Sequence, residues 1–403
     1  MRVVVVGAGV IGVTCAYYLS KAGFEVTVVD RAHEVASGAS HANGGQLSYS
    51  FTDALAKPEF IAKIPALIAG RDTGSRMRLA PGLLPWAARF LLQCTSQRAR
   101  ENTLAVLRIA MRSEHLLNEL CDRVAFDFSY RAAGKLVLLS NRDEMHSAAA
   151  SSALKSSHGS DTEILNLADS IAIEPALANF AGDFAGAVYS KNDEVADARL
   201  FTLRLKEWLE EKAGVSFRLG QSVTRINSRG NKLRSVQTQD GELTADAAVV
   251  CAGAWSGQLL RPLGINPHIY PVRGYSVTLP TTAESPSVSV TALKQRIVFS
   301  RISDGLRIAG FADFNGLSTE DDATRIAAML DVARRCAPLA ADYDVTERHD
   351  WGGFRPMTPD GRPRIGATPV RGLYLNVGQG MLGWTLACAS GHDVTESIST
   401  TLN

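Results

Sequence analysis

Residues 2–31, RVVVVGAGVIGVTCAYYLSKAGFEVTVVDR, decide the fold. Arg2 to Val6 reads as a buried strand that runs into Gly7-Ala8-Gly9-Val10-Ile11-Gly12. The spacing of Val13, Ala16, Tyr17 and Leu19 predicts a helix over 13–22. Gly23 ends that helix, and a second strand over 24–29 ends at Asp30. The G-x-G-x-x-G run therefore stands in the strand–turn–helix–strand setting that a dinucleotide site requires. Gly7 serves the tight turn, Gly9 lets a pyrophosphate approach the backbone, and Gly12 lets helix and strand pack closely. The pyrophosphate belongs at the helix N-terminus, where free N–H groups and the helix dipole favour negative charge. Asp30 is placed to accept hydrogen bonds from a ribose hydroxyl. The fingerprint alone does not separate FAD from NAD, and an ordinary βαβ unit with a glycine-rich turn is the competing reading.

Size and composition narrow the class. A chain of 403 residues has room for two domains, because one core rarely grows past about 250–300 residues. The apolar share of 46% and charged share of 21% fit a globular protein. A formal net charge of +1 gives no reason to expect a nucleic-acid partner. Cys15, Cys94, Cys121, Cys251, Cys336 and Cys388 are scattered without metal-ligand spacing, so no metal is expected and the thiols read as reduced. No run reaches the roughly 18 apolar residues of a membrane span, and the chain opens on a folded strand rather than a leader peptide. The expected location is the cytoplasm.

The loop Ser37 to Gln46, SGASHANGGQ, offers hydroxyls, amides and close-approach backbone at Ser40, Asn43, Gly44, Gly45 and Gln46. That suits a second set of contacts to a long cofactor, against the alternative of a plain surface loop. Residues 51–100 are apolar, broken by prolines and edged by Lys57, Lys63, Arg71, Arg76, Arg78, Arg89, Arg98 and Arg100. Such a segment can lie on the inner face of the cell membrane as a peripheral contact or form a helical cap on its own protein. An amphipathic helix is predicted over 104–120, and another over 141–156, capped by Asn141 with Glu144 three residues on. Asp197 and Gly214 bracket a further helix, and a strand is expected over 215–223. The stretch Ala245 to Ser256 reads as a continuous apolar strand that ends in a small-residue turn with Gly253 and Trp255. Its carboxyl end is where an open α/β sheet binds ligands. Strands then dominate 270–310, a helix covers 319–337, and a strand over 373–377 leads into Gly378 to Gly383 and a last helix from Trp384. This glycine loop, with Gly380, Met381, Leu382 and Gly383, offers a second helix N-terminus to a cofactor.

Together these pieces resemble the small-subunit family of bacterial D-amino-acid dehydrogenases, within the D-amino-acid oxidase / glutathione-reductase-like superfamily. The resemblance rests on the opening fingerprint, SHANGGQLS around Asn43, DEVADARLFT from Asp193, YPVRGYSVTLP from Tyr270, GGFRPMTPDGRPRIG from Gly352 and NVGQGMLGWTLACASG from Asn376. It implies FAD, bound without a covalent link because no cysteine stands out as an anchor. It implies an α/β fold: a Rossmann-like FAD-binding domain of the glutathione-reductase type, interleaved with a mixed, largely antiparallel β-sheet substrate domain. Residues 1–50, 195–270 and 345–403 are assigned to the first, and 51–194 and 271–344 to the second. Arg31, Val223 and Trp255 join Asp30 as expected cofactor contacts, with Trp384 at the last helix. The resemblance further implies oxidative deamination of a D-amino acid, with electrons passed to a quinone or other partner. Relatives acting on D-hydroxyproline, opines or glycine share most of the motifs, and a non-catalytic FAD-holding subunit is a reading from another class. An NAD-dependent dehydrogenase is a third.

The chemistry asks for a carboxylate anchor, a neutral amine and a positioned hydride acceptor. The resemblance places the anchor at Arg355 of G-F-R-P, which reads as a turn over Gly352 to Pro356, and a planar guanidinium fork suits a carboxylate. An interdomain ion pair is the alternative for that residue. Arg301 and Arg307, with Arg273, lie on or beside strands of the roof and are candidates to assist. Tyr275 and Tyr49 are candidates to line the pocket, or else amphipathic core residues. No general base is expected, since positioning beside an oxidised flavin does most of the work.

Overall fold

The computed structural model describes residues 1–78, 82–182 and 184–402. Six strands form the first sheet, in the order Arg364–Ala367, Leu373–Val377, Ala247–Val250, Arg2–Val6, Glu25–Asp30, Ser216–Leu219. All neighbours pair in parallel except Arg364–Ala367, an antiparallel edge. Side chains alternate between faces along a strand. Val3 and Val5 accordingly enter one apolar cluster, and Val4 and Val6 another. The helices Val10–Lys21, Ala198–Ala213 and Gly383–Leu402 cover the first face. The antiparallel strands Val223–Arg229, Lys232–Thr238 and Gly241–Thr244 cover the second. A sheet buried on both sides explains why Ala247–Val250 carries no polar residue.

The first helix begins at Val10, three residues before the predicted start, because Gly9 already serves as its extended N-cap. The last helix crosses it closely. A Cβ on Gly391 would lie 3.2 Å from the Cys15 backbone, so the two ends of the chain pack through a glycine.

The second sheet has eight strands, in the order His349–Met357, Tyr270–Pro280, Gly305–Asp313, Ile297–Ile302, Ser289–Ala292, Lys135–Leu139, Gly186–Ser190, Glu163–Asn166. One pair, Ser289–Ala292 with Lys135–Leu139, is parallel and the others are antiparallel. On one face Tyr275, Val277, Phe299 and Ile308 pack against Ile326, Met329 and Leu330 of the helix Asp322–Cys336. The other face roofs the loop 40–46. There Ser276 Oγ donates to the Ala42 carbonyl at 2.6 Å.

Four expectations are corrected. Gly352 to Pro356 is not a turn but part of a nine-residue strand, and it pairs with Tyr270–Pro280 in the roof. Its glycines misled the reading: they are small because the Arg273 and Trp351 side chains occupy the space a Cβ would fill. The strand also belongs to the roof and not to the cofactor-side segment 345–403. The strand expected over 215–223 breaks at Gly220, whose φ is +75°, into Ser216–Leu219 and Val223–Arg229. The helix expected over 104–120 runs over Ser96–Val124, because Thr95 Oγ1 caps it by accepting from Arg98 N.

Segment 51–100 folds into Pro58–Ile61, Ile64–Ile68 and Leu83–Gln93, with residues 79–81 outside the described residues. Leu83, Trp86 and Phe90 pack onto Tyr270, Val272 and Met357, which makes the segment a cap on the roof's edge. The Asn141 cap, the Asp197 cap and the left-handed Gly214 stop occur where the sequence placed them.

Candidate active site

The site is assembled at the carboxyl ends of the parallel strands, where an open α/β sheet gathers its ligand contacts. Gly7 has φ +113°, and a Cβ there would sit 2.6 Å from the Cys251 carbonyl. A Cβ on Gly12 would overlap the Gly7 carbonyl. The chain itself thus requires both glycines. Gly9 differs: its φ of −73° suits any residue, and its Cβ position meets only Ser40 Oγ at 3.4 Å. The helix it begins has no side-chain cap. Ala8, Val10 and Ile11 complete this open N-terminus, with Val10 N donating to Ser40 Oγ at 3.0 Å.

Asp30 accepts from Ala8 N at 2.6 Å and from Ala32 N at 2.9 Å. It fixes the glycine turn from the end of the second strand. Arg31 lies over the Trp255 ring at 4.1 Å, and Gly253 opens on free space. Val223 packs half-buried on the Val4–Val250 side of the sheet.

The loop 40–46 runs from this cradle under the roof. Asn43 Oδ1 accepts from Gly45 N at 2.9 Å, and Gln46 Nε2 donates to Ser289 Oγ at 2.6 Å. A Cβ on Gly44 would only touch Ala309, at 3.6 Å, whereas one on Gly45 would run into Ile302. Arg307 donates from Nε to Thr278 Oγ1 at 3.1 Å and from Nη1 to the Asn43 carbonyl at 3.3 Å. Asp197 stands 3.8 Å from its Nη2, and burial lowers the Arg307 pKa. Arg307 therefore holds the loop, and its fork is committed. On the far side Gly380, Met381 and Leu382 form a short turn before the helix Gly383–Leu402, with Met381 exposed and Leu382 packed beside Leu386. The Trp384 indole turns inward instead, packing at a tilt on Phe201 with ring centroids 4.7 Å apart and donating to the Ala196 carbonyl at 3.3 Å. It is a core side chain.

Arg355 lies on the loop side of the roof, flat against Gly274. A Cβ on Gly274 would come within 2.6 Å of its Nη1. Nη1 donates to the Phe311 carbonyl at 2.6 Å and Nη2 to the Gly310 carbonyl at 3.4 Å. Among the described residues no carboxylate pairs with it. Burial holds its pKa down to about 10, with Asp313 pulling the other way.

Other candidates lie elsewhere. Tyr275 follows Gly274, so its side chain takes the opposite face, where its hydroxyl donates to Asp313 Oδ2 at 2.9 Å. Arg301 shares the face of Phe299, away from the loop, and donates to the Ser285 carbonyl at 3.1 Å. Tyr49 is buried, with its hydroxyl on Glu194 Oε2 at 2.9 Å. It belongs to a polar layer behind the loop. There Asp193 Oδ1 accepts from Tyr49 N and Ser50 N, at 3.0 and 3.3 Å, and Lys135 Nζ donates to Ser48 Oγ at 2.8 Å. Burial pushes Asp193 up to about 6 and Lys135 down to about 8. The DEVAD run is thus a brace for the loop's outgoing strand.

Gly274, Asp313, Arg325, Lys135 and Asp193 had no assigned role in the sequence reading. The signal for Gly274 was present, since a glycine inside a strand marks close approach of another group. His392, Asp393 and Glu396 also come together on the last helix, but Arg112 already pairs with Asp393.

The family model described as "DAO: FAD dependent oxidoreductase" matches residues 2–397. A D-amino acid dehydrogenase of Dechloromonas aromatica is 39% identical, over 99% of this chain and 97% of its own length. One from Vibrio vulnificus is 36% identical, over 99% and 96%. The L-proline dehydrogenase structure from P. horikoshii superposes with a TM-score of 0.76 at 19% identity, covering 99% of this chain and 93% of that one. A glycine oxidase from Geobacillus kaustophilus gives 0.72 at 23%, covering 99% and 95%. At those identities the two superpositions show the fold. The cradle fits FAD on its own evidence, since Gly9 leaves a space that no part of the chain fills. A match of this length, with relatives at these identities, means that the chain belongs to the DAO family of FAD-dependent oxidoreductases.

Proposed function

We propose that this protein oxidises D-amino acids to 2-oxo acids, with Arg355 as the substrate-carboxylate anchor. The observation that carries the reading is a half-buried guanidinium with two carbonyl bonds and no carboxylate partner, laid on a glycine made small to receive it. A guanidinium removed from water without a counter-charge is unfavourable, and a substrate carboxylate supplies that charge. The names of the most similar relatives, D-amino acid dehydrogenases, support the D-amino acid as substrate.

FAD bound in the cradle supplies the hydride acceptor. Arg355 fixes one end of the amino acid and so limits which Cα–H bond can face that acceptor. Leu83, Trp86 and Phe90 of the cap shield the edge of the roof next to Tyr270 and Met357 from water. Arg307 and Gln46 hold the loop 43–46 in place through the Asn43 carbonyl and Ser289. Loss of hydride from Cα leaves an imino acid, which water converts to the 2-oxo acid and ammonia. The decisive test is anaerobic bleaching of the yellow protein by a panel of D- and L-amino acids. Bleaching by L-amino acids alone, or by none, overturns the reading.

For the electrons we propose a membrane quinone or a quinone-linked partner. No helix among the described residues is long and apolar enough to cross a membrane. The cap, however, presents exposed Ile61, Ile68, Leu84, Leu91 and Leu92 among exposed Lys57, Lys63, Arg71 and Arg89. Apolar side chains within a cationic rim suit the surface of an anionic bilayer.

A further inference from the structure

Behind Arg355 lies a buried ion pair that the proposed reaction does not use. Arg325, on the helix Asp322–Cys336, is 1% exposed. It grips Asp313 with two bonds, Nε to Oδ2 at 2.7 Å and Nη2 to Oδ1 at 2.9 Å. The same carboxylate accepts from the Tyr275 hydroxyl and from Arg76 N, both at 2.9 Å. Arg325 Nη1 continues to the Thr73 carbonyl at 3.1 Å, at the foot of the cap.

Asp313 closes the strand Gly305–Asp313 just after a bulge. Arg273 faces Asp313, but Tyr275 faces Gly310, so Gly274 stands opposite two residues, Phe311 and Ala312. Phe311 takes φ +54°. A non-glycine residue held in that region is strained and persists only where its surroundings over-determine it. The two carbonyls that seat Arg355 are those of Phe311, in this bulge, and of Gly310, the residue before it.

Charge matters here as much as shape. Arg273 pairs with Asp322, and Arg325 pairs with Asp313. Three arginines and two acids leave one net positive charge, on Arg355.

We propose that Arg325 is a positioning residue for carboxylate recognition. It pins Asp313, and with it the bulge that aims Arg355, and it keeps Asp313 from becoming the partner of Arg355. This rests on the reading of Arg355 as anchor. Without Arg325, the corner holds two arginines and two acids, and a substrate carboxylate meets no free cation.

The test uses the FAD-loaded protein and benzoate as a carboxylate probe, read by perturbation of the flavin absorbance. Arg325→Gln should weaken benzoate binding and raise KM for a D-amino acid by about tenfold or more, an amount set by one lost charge contact. FAD content should stay normal. Adding Asp313→Asn to Arg325→Gln removes the competing acid, restores the net charge, and should recover most of the benzoate affinity. A purely structural pair also relaxes when both charges are removed, so Tm is measured beside benzoate affinity, and a loss and recovery that follow Tm alone overturn the proposal. Unchanged benzoate affinity in Arg325→Gln, or no recovery in the double variant, overturns the proposal. If Arg325→Gln does not fold, Arg325→Lys keeps the charge but loses the two-point grip. It should then weaken benzoate by about threefold, well under one tenfold step, and wild-type affinity refutes the aiming role. Arg355→Lys is measured alongside. Wild-type benzoate affinity there removes the anchor itself, whatever the Arg325 variants do.

Discussion

Replacing Arg355 should separate recognition of the acid from binding of the cofactor. Burial lowers the Arg355 pKa from its ordinary value to about 10. At about 1.4 kcal/mol per unit, the lone charge is held at a cost of roughly 3 kcal/mol. A bound carboxylate relieves much of that cost and adds charge-assisted hydrogen bonds. Truncating one member of a buried charged pair costs about 2–5 kcal/mol, so the two routes agree. Arg355→Ala should therefore lower the efficiency of flavin reduction by about 30- to several-thousand-fold, at about tenfold per 1.4 kcal/mol. Arg355→Lys should recover only part, because a point-charge ammonium cannot replace the planar fork that meets both carboxylate oxygens at once. FAD content should remain normal, since the guanidinium touches the roof and none of the glycine turn. The assay is anaerobic stopped-flow reduction by a D-amino acid and by the matching amine without a carboxylate. A large loss confined to the acid supports the anchor. An equal loss for both substrates refutes it and makes Arg355 a brace of the roof.

Further variants probe the rest of the site. Gly274→Ala puts a methyl where the Arg355 guanidinium lies, so it should mimic Arg355→Ala in the same assay while retaining FAD; near-normal reduction of flavin would contradict the packing. Gly9→Val should give folded, colourless protein, whereas Gly12→Val should fail to fold because its Cβ overlaps the Gly7 carbonyl; circular dichroism with flavin absorbance distinguishes the two, and stoichiometric FAD in Gly9→Val would misplace the pyrophosphate. Electrons should pass to quinones or dyes faster than to oxygen, and peroxide formed at the dye rate would make the protein an oxidase. Asp193 is raised to about 6 from 3.8 by burial, so its proton-bound form stabilises the fold below about pH 4, and that contribution fades as pH rises through about 6. Tm of Asp193→Asn relative to wild type should consequently climb between pH 4 and 7, and a difference independent of pH would exclude the shift.

Local patterns carried most of the fold. The fingerprint, the runs of buried valine and the caps at Asn141 and Asp197 are each decided by a few neighbouring residues, so they were legible in the sequence. What was lost is the choice of face. Gly274 and Tyr275 are adjacent in one strand, so a side chain cannot line the site from Tyr275 if Arg355 lies on Gly274. Arg301 and Arg307 sit on separate strands, and only the register reveals that one points to the loop and the other away. The bulge at Phe311 shifts that register locally, and nothing in the residues 305–313 announces it. Arg325 was overlooked because an arginine in a helix reads as exposed. Yet it precedes Met329 and Ala333 at four-residue steps, on the face that the core claims.

Comparing what the chain demands with what it leaves open gives the site its outline. Gly7, Gly12 and Gly45 are glycine because backbone or core side chains already fill the space of a Cβ. Those positions say that the fold is tight, and they would be glycine with no ligand at all. Gly9 and Gly383 meet little or nothing within 4 Å, and neither has a positive φ. They lie at two helix starts where the cofactor is expected, so their smallness has no cause inside the chain. Gly253 also opens on free space, but its φ of +53° already favours glycine. Gly274 is intermediate: it makes room for the Arg355 guanidinium, which has no carboxylate partner among the described residues. We propose that the open glycines mark the cofactor and that the Arg355 guanidinium, with no carboxylate on it among the described residues, marks the substrate.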